Sequence, residues 1–210
     1  MPGHDGGGDD TACMTTVDAA VIMAGGGGRR LGGRDKPALV IAGRRLLDVA
    51  LAAVPGCPVV VVGPPRDLPS GVILVREQPP GGGPAAGLAA GLAALPQLPG
   101  DAILAVLAAD LPGVGAETIE RLCAALQAAR PDSGSGPVGG AVLIDAAGRP
   151  QYLTGVWRSA TLLAAVGRVQ SWAGRSLRDL LAPIGLVEVA GSVGETADVD
   201  TPADWQRWQS

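Results

Sequence analysis

The only lysine in this chain, Lys36, closes a run of glycines and arginines: Met23-Ala24-Gly25-Gly26-Gly27-Gly28-Arg29-Arg30-Leu31-Gly32-Gly33-Arg34-Asp35-Lys36-Pro37. Every other basic side chain is an arginine. Arginine is a planar fork, whereas lysine is a compact point charge on a flexible stem that reaches one phosphate oxygen. Gly25 to Gly28 expose backbone N–H groups and permit positive φ, so the chain can fold round an anion. With Arg29, Arg30 and Arg34 the run gathers positive charge where a nucleoside triphosphate could lie. It lacks the Gly-Lys-Ser/Thr ending of the NTPase phosphate loop, and Arg30-Leu31 stands where a dinucleotide fingerprint has its third glycine.

A second constellation is Glu77-Gln78-Pro79-Pro80-Gly81-Gly82-Gly83-Pro84-Ala85-Ala86-Gly87, continuing to Gly91. Pro84 suits the first turn of a helix. Gly87 and Gly91 form a small-xxx-small pair, which here reads as close packing on a sheet or close approach of a ligand. Third, the apolar run from Leu104 to Ala109 ends on Asp110. A carboxylate there ligates a hard cation such as Mg2+, or caps the helix that follows. Fourth, in Asp198-Val199-Asp200-Thr201-Pro202 the two aspartates share one face of an extended segment. Either could join Asp110 at a metal; equally, Thr201 or Asp200 caps a helix beginning at Pro202.

Regular elements must hold these groups in place. Apolar runs predict strands at Val17–Met23, Pro58–Val62, Val72–Val75, Ile103–Ala108, Gly140–Ile144 and Leu186–Val189. Helical patterns fall between them, at Leu46–Ala53, Ala85–Leu95, Ala116–Ala129, Ala160–Val166 and Ser176–Leu181. The alternation implies an α/β fold, a mostly parallel sheet with helices on both faces. Ligands in such sheets bind beyond the carboxyl ends of the strands. The glycine run follows the first strand, Glu77 the third and Asp110 the fourth. Residues 1–15 read as a disordered leader, with Met14 a candidate start. Residues 16–210 read as one domain, a nucleotide half to about residue 115 and an acceptor half from about residue 116. Residues 131–137 read as a flexible loop and candidate lid.

Composition excludes several classes. Hydrophobic residues make up 47%, enough for a substantial core, but aromatics only 2%, so Ala, Val, Leu and Ile must build it. A net charge of −4 and few stacking platforms argue against nucleic acid as a partner. The one histidine, His4, lies in the leader, which argues against zinc and against histidine acid–base chemistry. Cys13, Cys57 and Cys123 form no paired motif, and the last two read as small hydrophobes. No apolar stretch approaches the ~18 residues of a membrane span, and no basic-then-apolar leader is present, so a cytoplasmic location away from membranes is expected.

Taken in order, the four elements resemble the molybdenum cofactor guanylyltransferase (MobA) family of Rossmann-like nucleotidyltransferases. That family's Leu-Ala-Gly-Gly, Arg-x-Gly-x-Asp-Lys, Gly-Pro-Leu-Ala-Gly and strand-ending aspartate match Met23-Ala24-Gly25-Gly26, Arg30-Leu31-Gly32 with Asp35-Lys36, Gly83-Pro84-Ala85-Ala86-Gly87, and Asp110. Arg149-Pro150-Gln151-Tyr152-Leu153 and Gly174-Arg175-Ser176-Leu177 look like its acceptor-side segments, and the resemblance covers residues 17–205.

The resemblance implies a three-layer α/β/α sandwich, Mg2+ as cofactor, and transfer of GMP from GTP to the terminal phosphate of molybdopterin with release of pyrophosphate. It also implies transient contact with molybdenum-insertion proteins or apo-molybdoenzymes. By the same resemblance Gly25, Gly26, Gly27 and Gly28, with Arg30, hold the triphosphate, and Lys36 offsets charge at the transferred phosphoryl group. Asp110, helped by Asp198 or Asp200, holds the metal. Met23, Ala24, Gly25, Gly63, Glu77, Gly83 and Gly87 serve the nucleotide site, and Arg149 and Arg175 the acceptor. Three departures stand out: Met23 for leucine, Gly63 for asparagine, and Asp198-Val199-Asp200 where guanylyltransferases often carry asparagines, a drift towards cytidylyltransferases. A CTP-dependent transferase on the same cofactor, a guanylyltransferase acting on another small phosphate such as phospholactate, and a non-catalytic nucleotide-binding protein remain as alternatives.

Overall fold

Nearly unbroken apolar runs form strands buried on both faces, which is how parallel strands covered by helices read in sequence. In the computed structural model, which describes residues 17–25, 35–130 and 138–209, these runs assemble one seven-stranded sheet. Its strands are β1 (Ala19–Met23), β4 (Val59–Val62), β5 (Ile73–Val75), β6 (Ile103–Ala108), β7 (Val138–Ile144), β8 (Pro150–Arg158) and β9 (Gly185–Ala190). They lie in the order β5-β4-β1-β6-β8-β7-β9. β8 runs antiparallel to both neighbours, and the remaining pairings are parallel. Two short strands, β2 (Val40–Ile41) and β3 (Arg44–Arg45), form a separate antiparallel ribbon.

The helices are α1 (Leu46–Ala52), α2 (Pro84–Ala94), α3 (Ala116–Ala128), α4 (Ser159–Val166), α5 (Leu177–Leu181), α6 (Val193–Thr196) and α7 (Pro202–Arg207). Side chains alternate across the sheet with a period of two. Ala20, Ile22, Val59, Val61, Ala105 and Leu107 pack with α1 and α3 on one face. Ala19, Val21, Val60, Val62, Leu104 and Val106 pack with α2, α4 and α5 on the other. The fold is thus the expected helix–sheet–helix sandwich with a mostly parallel sheet. Among the described residues no helix is long and apolar enough to cross a membrane.

Three strands lie outside the predicted elements: the short β2 and β3, and the long β8. β8 occupies a stretch read only as an acceptor-side segment, because Pro150, Gln151 and Gly155 break its apolar pattern. A tight turn leads into it: Asp145 Oδ1 accepts from the N–H groups of Ala147 and Arg149, and Gly148 takes a φ of 73°. The predicted leader and the candidate lid at 131–137 lie outside the described residues.

Candidate active site

Four sheet strands deliver the site from their carboxyl ends. β1 ends at Met23, and Ala24 continues its ladder by donating to the Val62 carbonyl at 2.8 Å. Gly25 follows; Gly26, Gly27, Gly28 and Arg30 lie outside the described residues. Beyond them Asp35 precedes a 3-10 turn at Lys36–Ala38, fixed by the buried Pro37. That turn places Lys36 beside residues from the far end of the chain. Its Nζ donates to Asp200 Oδ1 and lies 3.7 Å from Asp110 Oδ2.

Asp110 extends β6 through Ala109, whose N–H bonds the Met23 carbonyl at 3.0 Å. It caps no helix, since α3 begins only at Ala116 behind Gly115. The tail returns to it through backbone: Val199 N–H donates to the Asp110 carbonyl at 3.2 Å. Val199 is fully buried against Leu39, Ile41 and Leu46. With Val199 turned inward, Asp198 and Asp200 meet Asp110, and one oxygen from each of the three lies within 4.8 Å of the others. Thr201 performs the capping role as well, since its hydroxyl accepts from Asp204 N–H at the start of α7. The two readings of this segment are therefore compatible.

The electrostatics follow from crowding. Burial pushes Asp110 above the ordinary carboxylate range; Lys36 opposes the shift, and Asp198 and Asp200 add to it. Asp198 is raised by its own partial burial and by Asp200. Burial disfavours the Lys36 ammonium, yet the hydrogen bond to Asp200 and the field of Asp110, Asp200 and Asp198 hold it above the usual lysine value. A partly buried all-oxygen set with surplus negative charge fits a hard divalent cation, which takes carboxylates, phosphates and water.

Two cavities open at the carboxyl ends of the strands that deliver this site. One, of about 500 Å3, is lined by Met23, Gly25, Gly63, Glu77, Gly83 and Gly87, and additionally by Arg76. Glu77 accepts from Gly81 N–H at 2.8 Å, which sets one carboxylate oxygen against the turn leading into α2. Gly83 has a φ of 92° at the N-cap of α2, a conformation that favours glycine. Gly87 belongs to the cavity wall, whereas Gly91 is a packing residue: a Cβ there would come within 2.5 Å of Val21 Cγ1 and 2.8 Å of Val62 Cγ2. Ala24 does not line this cavity but sits behind it, 2% exposed.

The second cavity, of about 560 Å3, is bounded by Asp110, Asp198, Gln151, Tyr152, Thr154 and Leu177. The Thr154 hydroxyl, buried in its wall, has no hydrogen-bond partner among the described residues. Arg149 also borders this space, but its guanidinium is paired with Asp145 at 2.9 Å. Arg175 is placed elsewhere, with its guanidinium 5.9 Å from the centre of the Trp172 ring. Sequence reasoning overlooked Arg76, although it directly precedes Glu77 at a strand end, and overlooked Arg66, whose partners are remote in sequence.

Solved structures share this architecture. Molybdopterin-guanine dinucleotide biosynthesis protein A from Archaeoglobus fulgidus superposes with a TM-score of 0.66 at 19% identity, over 91% of this chain and 96% of that one. The 2-C-methyl-D-erythritol 4-phosphate cytidylyltransferase of Francisella tularensis gives 0.66 at 15% identity, over 92% and 100%. The enzyme of the same name from Thermus thermophilus gives 0.62 at 21% identity, over 92% and 98%. At these identities the likeness is one of fold. No curated protein sequence matches significantly. The family model for the MobA-like NTP transferase domain, however, matches residues 20–189, a span that takes in Lys36, Asp110 and both cavities' main walls, and the chain accordingly belongs to this family of nucleotidyltransferases.

Proposed function

We propose that the protein transfers GMP from GTP to the terminal phosphate of the molybdenum cofactor, releasing pyrophosphate. The observation that carries this reading is the meeting of Lys36, Asp110, Asp198 and Asp200, with Asp110 and Asp198 walling one cavity, read as the acceptor's, and a glycine-lined cavity at the ends of β1 and β4, read as the nucleotide's. An acceptor phosphate oxygen attacks the α-phosphorus, a P–O bond forms, and the bond from the α-phosphorus to the bridging oxygen breaks as pyrophosphate departs. Such a transfer needs alignment and charge neutralisation rather than a protein nucleophile. Lys36, held cationic, faces the negative charge of the transferred group. Asp110, Asp198 and Asp200 would hold Mg2+, which when bound neutralises phosphate charge. The glycine-lined cavity accommodates the nucleoside, with Gly83 and Gly87 letting it approach α2 closely.

Base choice rests on Arg76 and Glu77. A carboxylate accepts from guanine N1–H and the exocyclic amine, and a guanidinium donates to O6 and N7, so an acid–arginine pair favours guanine. A second reading, CTP as donor, is favoured by the aspartates at 198 and 200. The reading places the protein in the cytoplasm, with the molybdenum cofactor as acceptor and with molybdenum-insertion proteins or apo-molybdoenzymes as transient contacts. Pyrophosphate release with Mg2+, molybdopterin and each of GTP, CTP, ATP and UTP tests it. Release with GTP alone supports guanylyl transfer, release with CTP moves the protein to the second reading, and release with none overturns both.

A further inference from the structure

Arg66 lies just past β4, in the turn Gly63-Pro64-Pro65-Arg66, with a side chain only 7% exposed. Its guanidinium makes three polar contacts. Nη2 donates to the Ala24 carbonyl at 2.8 Å and to Asp35 Oδ1 at 3.3 Å, and Nε donates to the Pro64 carbonyl at 3.3 Å. Ala24 and Asp35 are described residues on either side of the glycine run, one following β1 and the other immediately preceding Lys36. One guanidinium nitrogen thus joins the end of the first strand to the turn that carries the lysine, while Nε anchors the group to the Pro64 carbonyl. Lysine, with a single nitrogen, cannot hold that anchor and the Ala24–Asp35 link at once.

The neighbouring glycine makes the contact possible. A Cβ on Gly63 would lie 2.7 Å from the Ala24 carbonyl oxygen, 2.9 Å from its carbon and 3.3 Å from Arg66 Nη2. Any side chain at 63 would force the Ala24 carbonyl or the guanidinium to shift. The absence of a side chain at 63, a departure noted in the sequence, is therefore matched by an arginine that uses the space.

We propose that Arg66 is a positioning residue for nucleotidyl transfer: by tying Ala24 to Asp35 it fixes where Lys36 stands relative to Gly25 and the nucleotide cavity. Arg66 does not itself line that cavity; it meets the wall only from behind, through the Pro64 carbonyl. The inference rests on the nucleotidyltransferase reading and adds a residue to it.

The test is a double-mutant cycle on nucleotide binding, with Mg2+ and GTP, and then Mg2+ and CTP, as the probes. Arg66→Ala in the wild-type background should weaken binding about tenfold, and in a Lys36→Ala background less than about twofold, because the residue through which it acts is already gone. Asp35→Asn, at a half-exposed position that leaves the core intact, should weaken binding several-fold in the wild type and not at all in Arg66→Ala. Equal losses from Arg66→Ala with and without Lys36 would overturn the inference, as would Asp35→Asn acting independently of Arg66. Should Arg66→Ala fail to fold, the same cycle run with Arg66→Lys, which keeps the charge and gives up the Pro64 anchor that orients the link, decides the matter. Wild-type protein that binds neither nucleotide would overturn the function itself, and this inference with it.

Discussion

Lys36 and Asp200 stand 164 residues apart in the chain and form a direct ion pair. The site is thus closed by the two ends of the described chain rather than by one contiguous motif. The lysine supplies part of the positive charge that the three aspartates call for. A bound cation and an incoming phosphate would redistribute those partners between them.

Removing the lysine should therefore harm turnover far more than folding. Lys36→Ala is expected to lower the rate of pyrophosphate release by roughly 100- to 1,000-fold, the scale of a lost charge-stabilising group at a reacting centre. Lys36→Arg should also be poor, because a planar fork does not fit where a point charge reaches two carboxylates, those of Asp110 and Asp200. Steady-state kinetics at saturating nucleotide decide this, and near-normal turnover in either variant would remove Lys36 from the chemistry.

The crowded carboxylates predict a trade between stability and metal binding. Burial and the repulsion from Asp200 raise the pKa of Asp198, which means that its charge is unfavourable in the metal-free fold. Asp198→Asn should raise the melting temperature in EDTA and abolish the additional stabilisation that Mg2+ gives the wild type. Thermal melts with and without Mg2+ read both effects, and an Asp198→Asn protein still stabilised by Mg2+ would exclude this residue as a ligand.

Glu195 ties the tail to α3 and gives the protein an acid-sensitive joint. Its burial alone would raise its pKa, but the Arg121 guanidinium, the Thr118 hydroxyl and Ser192 together hold it down at about 2. A carboxyl whose folded pKa is depressed stabilises the fold above its unfolded value and loses that contribution as pH falls towards the folded one. The window here runs from about pH 4.5 down to about 2. Glu195→Gln should cost on the order of 2–3 kcal/mol at neutral pH and flatten the stability profile across that window. Denaturant melts between pH 2 and pH 7 check it; parallel wild-type and mutant profiles would contradict the assignment.

Two glycines in α2 should respond oppositely to alanine. Gly91→Ala drives a Cβ against two branched valines of the sheet and is expected to destabilise by ~1–3 kcal/mol, outweighing the ~1 kcal/mol that alanine gains in a helix. Gly87→Ala meets chiefly the Met23 Cε, at 2.7 Å, the end of a flexible side chain that can move. It should leave stability almost unchanged while weakening nucleotide binding, since Gly87 walls the cavity. Urea unfolding and a binding titration on both variants separate the two cases.

What could be read in the sequence divides along physical lines. Central strands such as Val59–Val62 and Ile103–Ala108 announce themselves because burial on both faces requires continuous apolar residues. Lys36, Asp110 and the Asp198–Asp200 pair could be singled out because charge beside apolar strands is conspicuous. β8 stayed hidden because it mixes proline, glutamine, threonine and glycine, and its place is set by pairing with β6 and β7 rather than by its own pattern. The strands β2 and β3, two residues each, are too short to show a period. Arg66 looked like any surface arginine in a proline turn, because its partner Ala24 lies 42 residues away. Arg149 looked like a phosphate ligand, because the turn that pairs it with Asp145 was unseen.

The alternation at Asp198, Val199 and Asp200 makes the tail a reading frame in space. Val199 is anchored in the core by Leu39, Ile41 and Leu46, and its N–H holds the Asp110 carbonyl. Insert one residue between that anchor and either aspartate and the parity inverts, so that the carboxylate beyond it no longer shares the face of the other. Substitutions there can be graded, but a change in length is all or nothing. The segment should therefore show graded losses on substitution and refuse variation in spacing.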